Sequence, residues 1–372
     1  MSWADRAAQA NGVIRALGRW RAPHDFDGRG PVGVRDGREV VSFASNDYLG
    51  LAAHPAVIAA AHDALDRWGA GSGSARLIVG SRPVHGELEA ALAAWKGAEA
   101  AALFPTGFAA NLGTISALAD DDVTVCSDEL NHASIIDGCR LARARGARVE
   151  VWRHKDLGHL EQLLRGAARA IVVTDTVFSM DGDVAEVARV AELCAAHGAL
   201  LIVDEAHAVL GPTVDPGGDV LRVGTLSKTL GSLGGFVAGP APLVELIVNT
   251  ARPYIFTTAP TPADAAAAHA ALGVLQSPEG AALTARLRAL VDRVAGPAHP
   301  SPIVPVIIGG DAEALDAAAA LLDQGVLVPA IRPPTVPAGT ARLRVTLSAA
   351  HSDAHVALLV SALENLRVPS AP

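Results

Sequence analysis

The sequence predicts an α/β fold: a mostly parallel, seven-stranded sheet flanked by helices, followed by a smaller α+β C-terminal domain. Three observations lead there. From about residue 55 to about residue 240, short continuous apolar runs alternate with helical patterns. The runs are apolar throughout, so they read as strands covered on both faces, and strands joined through helices run parallel. After Pro253 the pattern changes to long Ala-rich helices alternating with short strands.

Along the chain, residues 1–40 read as an N-terminal helix followed by a Gly/Pro/Asp-rich loop over 23–37, and 40–43 as a short strand. The seven strands of the main sheet are expected at 101–104, 123–126, 149–152, 170–174, 199–203, 220–225 and 235–238. The helices between them are expected at 108–118, 133–145, 157–164 and 187–197. Residues 240–252 read as a helix leading away from this domain. Helices at 262–275, 280–294 and 312–324 then accompany strands at 303–308, 326–328 and 341–347, and a helix at 354–366 closes the chain. The Ala-rich stretch 264–274 reads as helix because Leu and Val return at helical spacing. These elements divide the chain into an N-terminal arm, 1–45, a large domain, 46–245, and a small C-terminal α+β domain, 246–372.

Composition narrows the function classes. With 372 residues, half of them hydrophobic, the chain can bury a large core and form roughly two domains. The net charge of −9 is spread along the chain, with no basic stripe for nucleic acid and no Lys/Arg cluster for an anionic membrane. The N-terminus lacks an apolar signal core and no apolar stretch reaches membrane-spanning length, so a cytoplasmic protein is expected. Cys126, Cys139 and Cys194 lack metal-ligand spacing and suit a reducing compartment, packed as small apolar residues.

Ligands of parallel sheets bind beyond the C-terminal ends of the strands, and polar residues gather there: Ser127-Asp128, Thr174-Asp175, Asp204-Glu205 and Thr225. The most informative is Lys228, in Thr225-Leu226-Ser227-Lys228-Thr229-Leu230-Gly231, downstream of a strand that ends in Asp204-Glu205-Ala206-His207. This pattern is what pyridoxal phosphate needs. The lysine forms a Schiff base, the carboxylate keeps the ring nitrogen protonated, and the Thr and Ser hydroxyls hold the phosphate. A metal site at Asp204–His207 is weakened by the lack of a second histidine pair at ligand spacing.

Other segments admit two readings each. Phe104-Pro105-Thr106-Gly107-Phe108 is either an ordinary strand–helix turn or a phosphate site on a helix start, where Gly107 allows close backbone approach. His132, in Asn131-His132-Ala133-Ser134, either stacks on a flat ring or caps a helix. Ser179, before the Asp181-Gly182 turn, either bonds a phenolate oxygen or simply shapes the turn. Arg342 and Arg344 alternate on a strand and face one side, and Arg332 begins a proline-locked segment. Each is either a surface residue or a clamp for a carboxylate.

Taken as a set, the segments Ser45–Leu51, Thr106–Asn111, Asn131–Ser134, Val177–Asp183, Asp204–His207 and Thr225–Gly231 resemble the α-oxoamine synthases, fold-type-I pyridoxal-phosphate enzymes, over nearly the whole chain. The resemblance implies a homodimer that joins an amino acid to an acyl thioester with loss of carbon dioxide. It implies Lys228 as the Schiff-base lysine, Asp204 on the ring nitrogen, and His132 stacked on the ring and able to polarise the thioester oxygen. Ser179 and His207 flank the phenolate oxygen. Gly107, Phe108 and Thr225 serve the phosphate, and Thr258 that of the neighbouring subunit. Asn46 lies near the substrate. Arg344 takes the amino-acid carboxylate, while Arg332 and Thr335 serve the acyl side. Arg15 resembles an N-terminal substrate arginine, with Arg19 and Arg21 as alternatives. Ala330–Arg344 most resembles members that use L-alanine and pimeloyl-CoA or pimeloyl-acyl carrier protein, in biotin biosynthesis. Other members use glycine and a short acyl thioester. The stretch His207-Ala208-Val209-Leu210-Gly211-Pro212-Thr213 departs from the family, looking shortened and lacking glycine after the histidine.

Overall fold

The computed structural model describes residues 1–212 and 219–366, so Thr213 of the shortened loop lies outside the described residues. Its main sheet has seven strands: β1 (Ala100–Phe104), β2 (Thr124–Asp128), β3 (Arg148–Trp152), β4 (Ala170–Asp175), β5 (Leu200–Asp204), β6 (Val220–Thr225) and β7 (Gly235–Gly239). The spatial order is β1-β7-β6-β5-β4-β2-β3. Strand β7 runs antiparallel to both β1 and β6, and the other pairings are parallel. Because β1 and β6 both oppose β7, six strands end at the same edge of the sheet.

Side chains alternate across each strand, and the two sets fill two cores. Val125, Ile171, Val173, Ile202 and Val223 pack with helices α3 (Gly107–Leu118), α4 (Ala133–Ala144) and α7 (Ala241–Thr250). Cys126, Val172, Leu201 and Val203 face the other way, toward α5 (Leu157–Arg165) and α6 (Val187–His197). This two-sided cover is why the strands read as unbroken apolar runs. Each fully buried Leu, Ile or Val contributes about 1.5–3 kcal/mol relative to exposure. The three cysteines are free and buried within these cores, and burial pushes their thiols up to about 11 for Cys126 and Cys139 and about 12 for Cys194.

The chain divides into two compact units, one of Asn46–Pro302 with Ser348–Ala350, the other of Met1–Ser45, Ile303–Leu347 and His351–Pro372. This differs from the domain limits read from the sequence. The helix expected to lead away at 240–252 is α7, and its Val244 and Ile247 sit in the core of the larger unit. Helix α8 (Pro262–Leu275) packs on α1 (Pro55–Trp68) and α2 (Pro83–Lys96), and α9 (Pro278–Ala295) follows it in the same unit. Ala265, Ala268 and Ala271 are buried in α8. Their small side chains allow close helix approach while leaving little amphipathic pattern to read.

In the smaller unit, the loop expected over 23–37 contains strands Asp27–Gly28 and Val32–Arg35, and the latter pairs antiparallel with Arg38–Ser42. The signal was Asp36-Gly37, both at positive φ (52° and 76°), which forms the two-residue hairpin turn. A second sheet places Ala341–Thr346 between Ile303–Gly309 and Ala330–Ile331. The N-terminal segment belongs to this unit rather than standing apart as an arm.

Candidate active site

The polar residues expected at the strand ends do converge in the larger unit. Asp204 closes β5 in register with Asp175 at the end of β4. Asp204 is 5% exposed. Its Oδ2 accepts from Asn111 Nδ2 at 2.6 Å and its Oδ1 from the Ala206 N–H at 2.8 Å. No ion pair involves it among the described residues. Asp175 accepts from the His132 N–H at 2.8 Å. Burial and then the Asp204 charge push the Asp175 carboxyl well above the usual carboxylate range.

Lys228 lies in the turn between β6 and β7. That turn is closed by the Leu226 N–H on Gly234 O (3.0 Å) and by Thr225 Oγ1, which donates to the same carbonyl at 3.0 Å and lies 2.7 Å from Ser227 Oγ. Gly231 has φ 58°, and a Cβ there would come within 2.2 Å of Ala52 N, so the turn seats on the 51–52 backbone only as glycine. Lys228 Nζ lies 2.7 Å from His207 Nε2, and His207 is buried. Beside Thr225, a Cβ on Gly107 would lie 3.1 Å from the threonine's Cβ, so the start of α3 packs closely on the lysine turn. The Thr106 side chain caps α3 through the Ala109 N–H. The N–H groups of Gly107 and Phe108 remain among the helix-start donors that suit a phosphate.

His132 takes the capping role of its two readings. Its Nδ1 accepts from the Ser134 N–H (3.2 Å), capping α4, while its ring stands 6.4 Å edge-on from that of Phe108. Burial pushes its pKa down, opposed by the Asp204 charge. Ser179 sits half-buried in the turn bridged by Val177 and Val184, and Thr258 is exposed after the short helix Arg252–Ile255. Asn46, half-buried, accepts from Tyr48 OH at 3.2 Å.

Four other expected residues lie in the smaller unit. Arg344 is buried on Ala341–Thr346 and donates to Thr346 Oγ1 at 2.9 Å. Arg332, also buried, donates to the Gly18 carbonyl, and Arg21 to the Pro333 carbonyl at 3.2 Å. Thr335 is exposed, and Arg15 is an exposed residue stacked 3.7 Å over the Trp20 ring. Tyr48, Asn111 and Ser134 were not singled out from the sequence, although all three lie inside segments that were. Asn111 links Asp204 to Ser134 Oγ (2.9 Å), and Ser134 Oγ lies 2.7 Å from His132 Nδ1.

Residues 38–363 match the model of the class I and II aminotransferase family. The 8-amino-7-oxononanoate synthase of Anaeromyxobacter dehalogenans (strain 2CP-1) is 52% identical over 90% of this chain and 88% of its own. That of Anaeromyxobacter sp. (strain Fw109-5) is 49% identical over 99% and 97%. This chain belongs to the 8-amino-7-oxononanoate synthase family. Backbone likeness alone does not separate these synthases from their neighbours. A serine palmitoyltransferase from Sphingomonas wittichii superposes with a TM-score of 0.86 at 32% identity, covering 97% of this chain and 96% of its own. The 8-amino-7-oxononanoate synthase of Francisella tularensis superposes at 0.71 with 25% identity, covering 87% and 96%. Sequence identity, which samples the side chains that meet substrate, carries the assignment.

The family's cofactor is pyridoxal phosphate, and the residues present fit it. A buried carboxylate held, among the described residues, by neutral donors, Asp204, suits a protonated ring nitrogen. A lysine stands beside it in electrostatic reach of Asp175 and His132. Hydroxyls and a helix start lie together at Thr225, Ser227 and Gly107 for the phosphate. Among the described residues, no cluster of three or more His, Cys, Asp or Glu could hold a metal, and no helix is long and apolar enough to cross a membrane.

Proposed function

We propose that this chain condenses L-alanine with a pimeloyl thioester, releasing carbon dioxide and the free thiol carrier, to give 8-amino-7-oxononanoate for biotin biosynthesis. The observation that carries this reading is the 52% identity to a synthase of that name over nine-tenths of the chain.

Bound pyridoxal phosphate supplies an electron sink for the charge left on the amino-acid Cα. The rest falls to the chain. Lys228 would anchor the cofactor through Nζ and, with Nζ free, would serve as the base for the Cα proton. His207, 2.7 Å from Nζ, orients that amine. Asp204 holds a proton at the ring nitrogen by its charge, and Asn111 and Ala206 fix both its oxygens. His132, kept neutral by burial and accepting at Nδ1, carries its proton on Nε2, where it can donate to the thioester oxygen. Gly107, Phe108 and Thr225 are assigned to the phosphate, and Ser179 with His207 to the phenolate oxygen. Arg344 is assigned to the alanine carboxylate, Arg332 and Thr335 to the acyl chain, and Asn46 and an N-terminal arginine, Arg15, Arg19 or Arg21, to the substrate.

Two copies of the chain would let Thr258 serve the neighbouring subunit's phosphate, so we assign a homodimer. A cytoplasmic location suits three buried, free cysteines. The test is product analysis with alanine, glycine and serine against pimeloyl, succinyl, acetyl and palmitoyl thioesters, on coenzyme A and on acyl carrier protein. Alanine with a pimeloyl donor should give the fastest turnover. Preference for serine with a palmitoyl donor, or glycine with a short one, contradicts the proposal.

A further inference from the structure

Just beyond β3, His154-Lys155 reaches the turn that carries Ser179, and the reaction scheme uses neither residue. His154 Nδ1 lies 2.9 Å from Asp128 Oδ1, at the end of β2. Its Nε2 lies 2.9 Å from Asp183 Oδ2, in the turn after β4. The ring stands edge-on to that of Phe178, with 4.3 Å between centroids. Asp128 is buried, and its carboxylate also accepts from the N–H groups of Leu130 (2.9 Å) and Lys155 (3.2 Å). Lys155 has φ 59°, a left-handed backbone that a residue with a Cβ seldom adopts, and its Nζ meets Asp183 Oδ2 at 2.9 Å.

The polarity of these partners sets the charge of the ring. A carboxylate oxygen accepts and cannot donate. With one on each side, both ring nitrogens carry protons, and His154 is an imidazolium. Burial works against that charge, but the bonds to Asp128 and Asp183 outweigh it and raise the His154 pKa from 6.5 to about 9. Burial also raises Asp183, and His154 with Lys155 outweighs it, which leaves that carboxyl below its usual range. The charged groups around the ring are Asp128 from β2, Asp183 from the turn, and Lys155 and Glu129 beside it; Glu129 accepts from the His154 N–H at 2.8 Å. A ring that lost one proton would set a lone pair against a carboxylate, and one of the two bonds would break. Within the turn, the Phe178 N–H donates to the Asp183 carbonyl (3.0 Å) and the Gly182 N–H to the Phe178 carbonyl (2.8 Å). Ser179 lies between Phe178, which packs on the imidazole, and Asp183, which is bonded to it. One side chain therefore holds both ends of the turn.

We propose that His154, held as an imidazolium between Asp128 and Asp183, is a positioning residue that fixes this turn and so places Ser179 at the cofactor's phenolate oxygen. It touches neither substrate nor cofactor in this role. The inference rests on the assignment of Ser179 to that oxygen.

The experiment compares holoenzymes by two readouts: the pH midpoint of the cofactor's visible band, and amide exchange at Phe178 and Gly182. Ser179→Ala and His154→Gln should each shift the band midpoint by about one unit, in the same direction, the scale of one hydrogen bond. The double variant should shift no further than either alone, because His154 acts through Ser179. At pH 7 the two amides should exchange at least about tenfold faster in His154→Gln. His154→Arg keeps a permanent charge and several donors, and should restore both readouts, which loss of imidazole packing alone would not allow. Additive shifts in the double variant, or His154→Gln with unchanged band and exchange, overturn the proposal. If Ser179→Ala shifts nothing, the assignment of Ser179 to the phenolate oxygen fails, while amide exchange still shows whether His154 fixes the turn. Should His154→Gln not fold, wild type and His154→Arg decide. Exchange at the two amides, corrected for its intrinsic pH dependence, should rise as pH passes about 9 in wild type and not in His154→Arg; no rise in wild type overturns the proposal.

Discussion

Asp204→Asn tests the charge that the proposed chemistry assigns to the cofactor's ring nitrogen. The substitution keeps the side chain's size and most of its bonds. Ala206 N–H can still donate to an amide oxygen. Asn111 Nδ2, now facing an NH2 group, can exchange places with Asn111 Oδ1, which is buried without a partner. Folding should therefore survive. What is lost is a buried negative charge opposite a protonated ring nitrogen. Removing one partner of such a pair is worth about 3–5 kcal/mol, and each 1.36 kcal/mol is tenfold in rate. Exchange of the alanine Cα–H with heavy water should fall by roughly two to four orders of magnitude, with cofactor binding far less affected. The assay is NMR loss of the Cα–H signal in holoenzyme without thioester, so that only proton removal is measured. Undiminished exchange would show that Asp204 does not hold the ring proton.

Lys228→Ala should abolish covalent attachment of the cofactor and lower turnover at least about a thousandfold, since anchor and base are lost together; borohydride reduction and peptide mapping of the wild type should find the label on Lys228. Arg344→Ala should raise the alanine concentration for half-saturation by roughly ten- to a thousandfold, the range for a lost charge-assisted pair. Arg332→Ala should spare that step and weaken the thioester step instead; titration with alanine alone and then with thioester separates the two, and the opposite pattern reverses the assignment. His154 bonds Asp128 and Asp183, each at 2.9 Å; burial alone would push its pKa down, but the two carboxylates outweigh it and raise it from 6.5 to about 9. A raised folded-state value means stability fully present below about 6.5 and lost as pH rises through about 9, so the gap in thermal midpoint between wild type and His154→Gln should be wide at pH 7 and narrow at pH 10, and an equal gap at both contradicts the pairing.

The sequence by itself determined the main sheet and the chemistry. Strands such as 170–174 and 220–225 are apolar on both faces because both faces are covered, so burial writes itself into consecutive residues. The placement of Lys228, Asp204, His207 and Gly107 at strand ends or turns of the larger unit was legible, because local chain geometry there sets the direction of the chain. Arg342 and Arg344 share a face by strand alternation alone, and both are buried. Tertiary structure decided the rest. The boundary near 245 moved because the alanines of α8 carry almost no amphipathic signal, and only their fit against α1 and α2 assigns the helix to the larger unit. Tyr48 and Asn111 read as ordinary polar positions in a loop and a helix, since their partners, His207 and Asp204, lie 159 and 93 residues away. Such pairings have no local period, and only the folded chain, which brings the segments within hydrogen-bond reach, defines them.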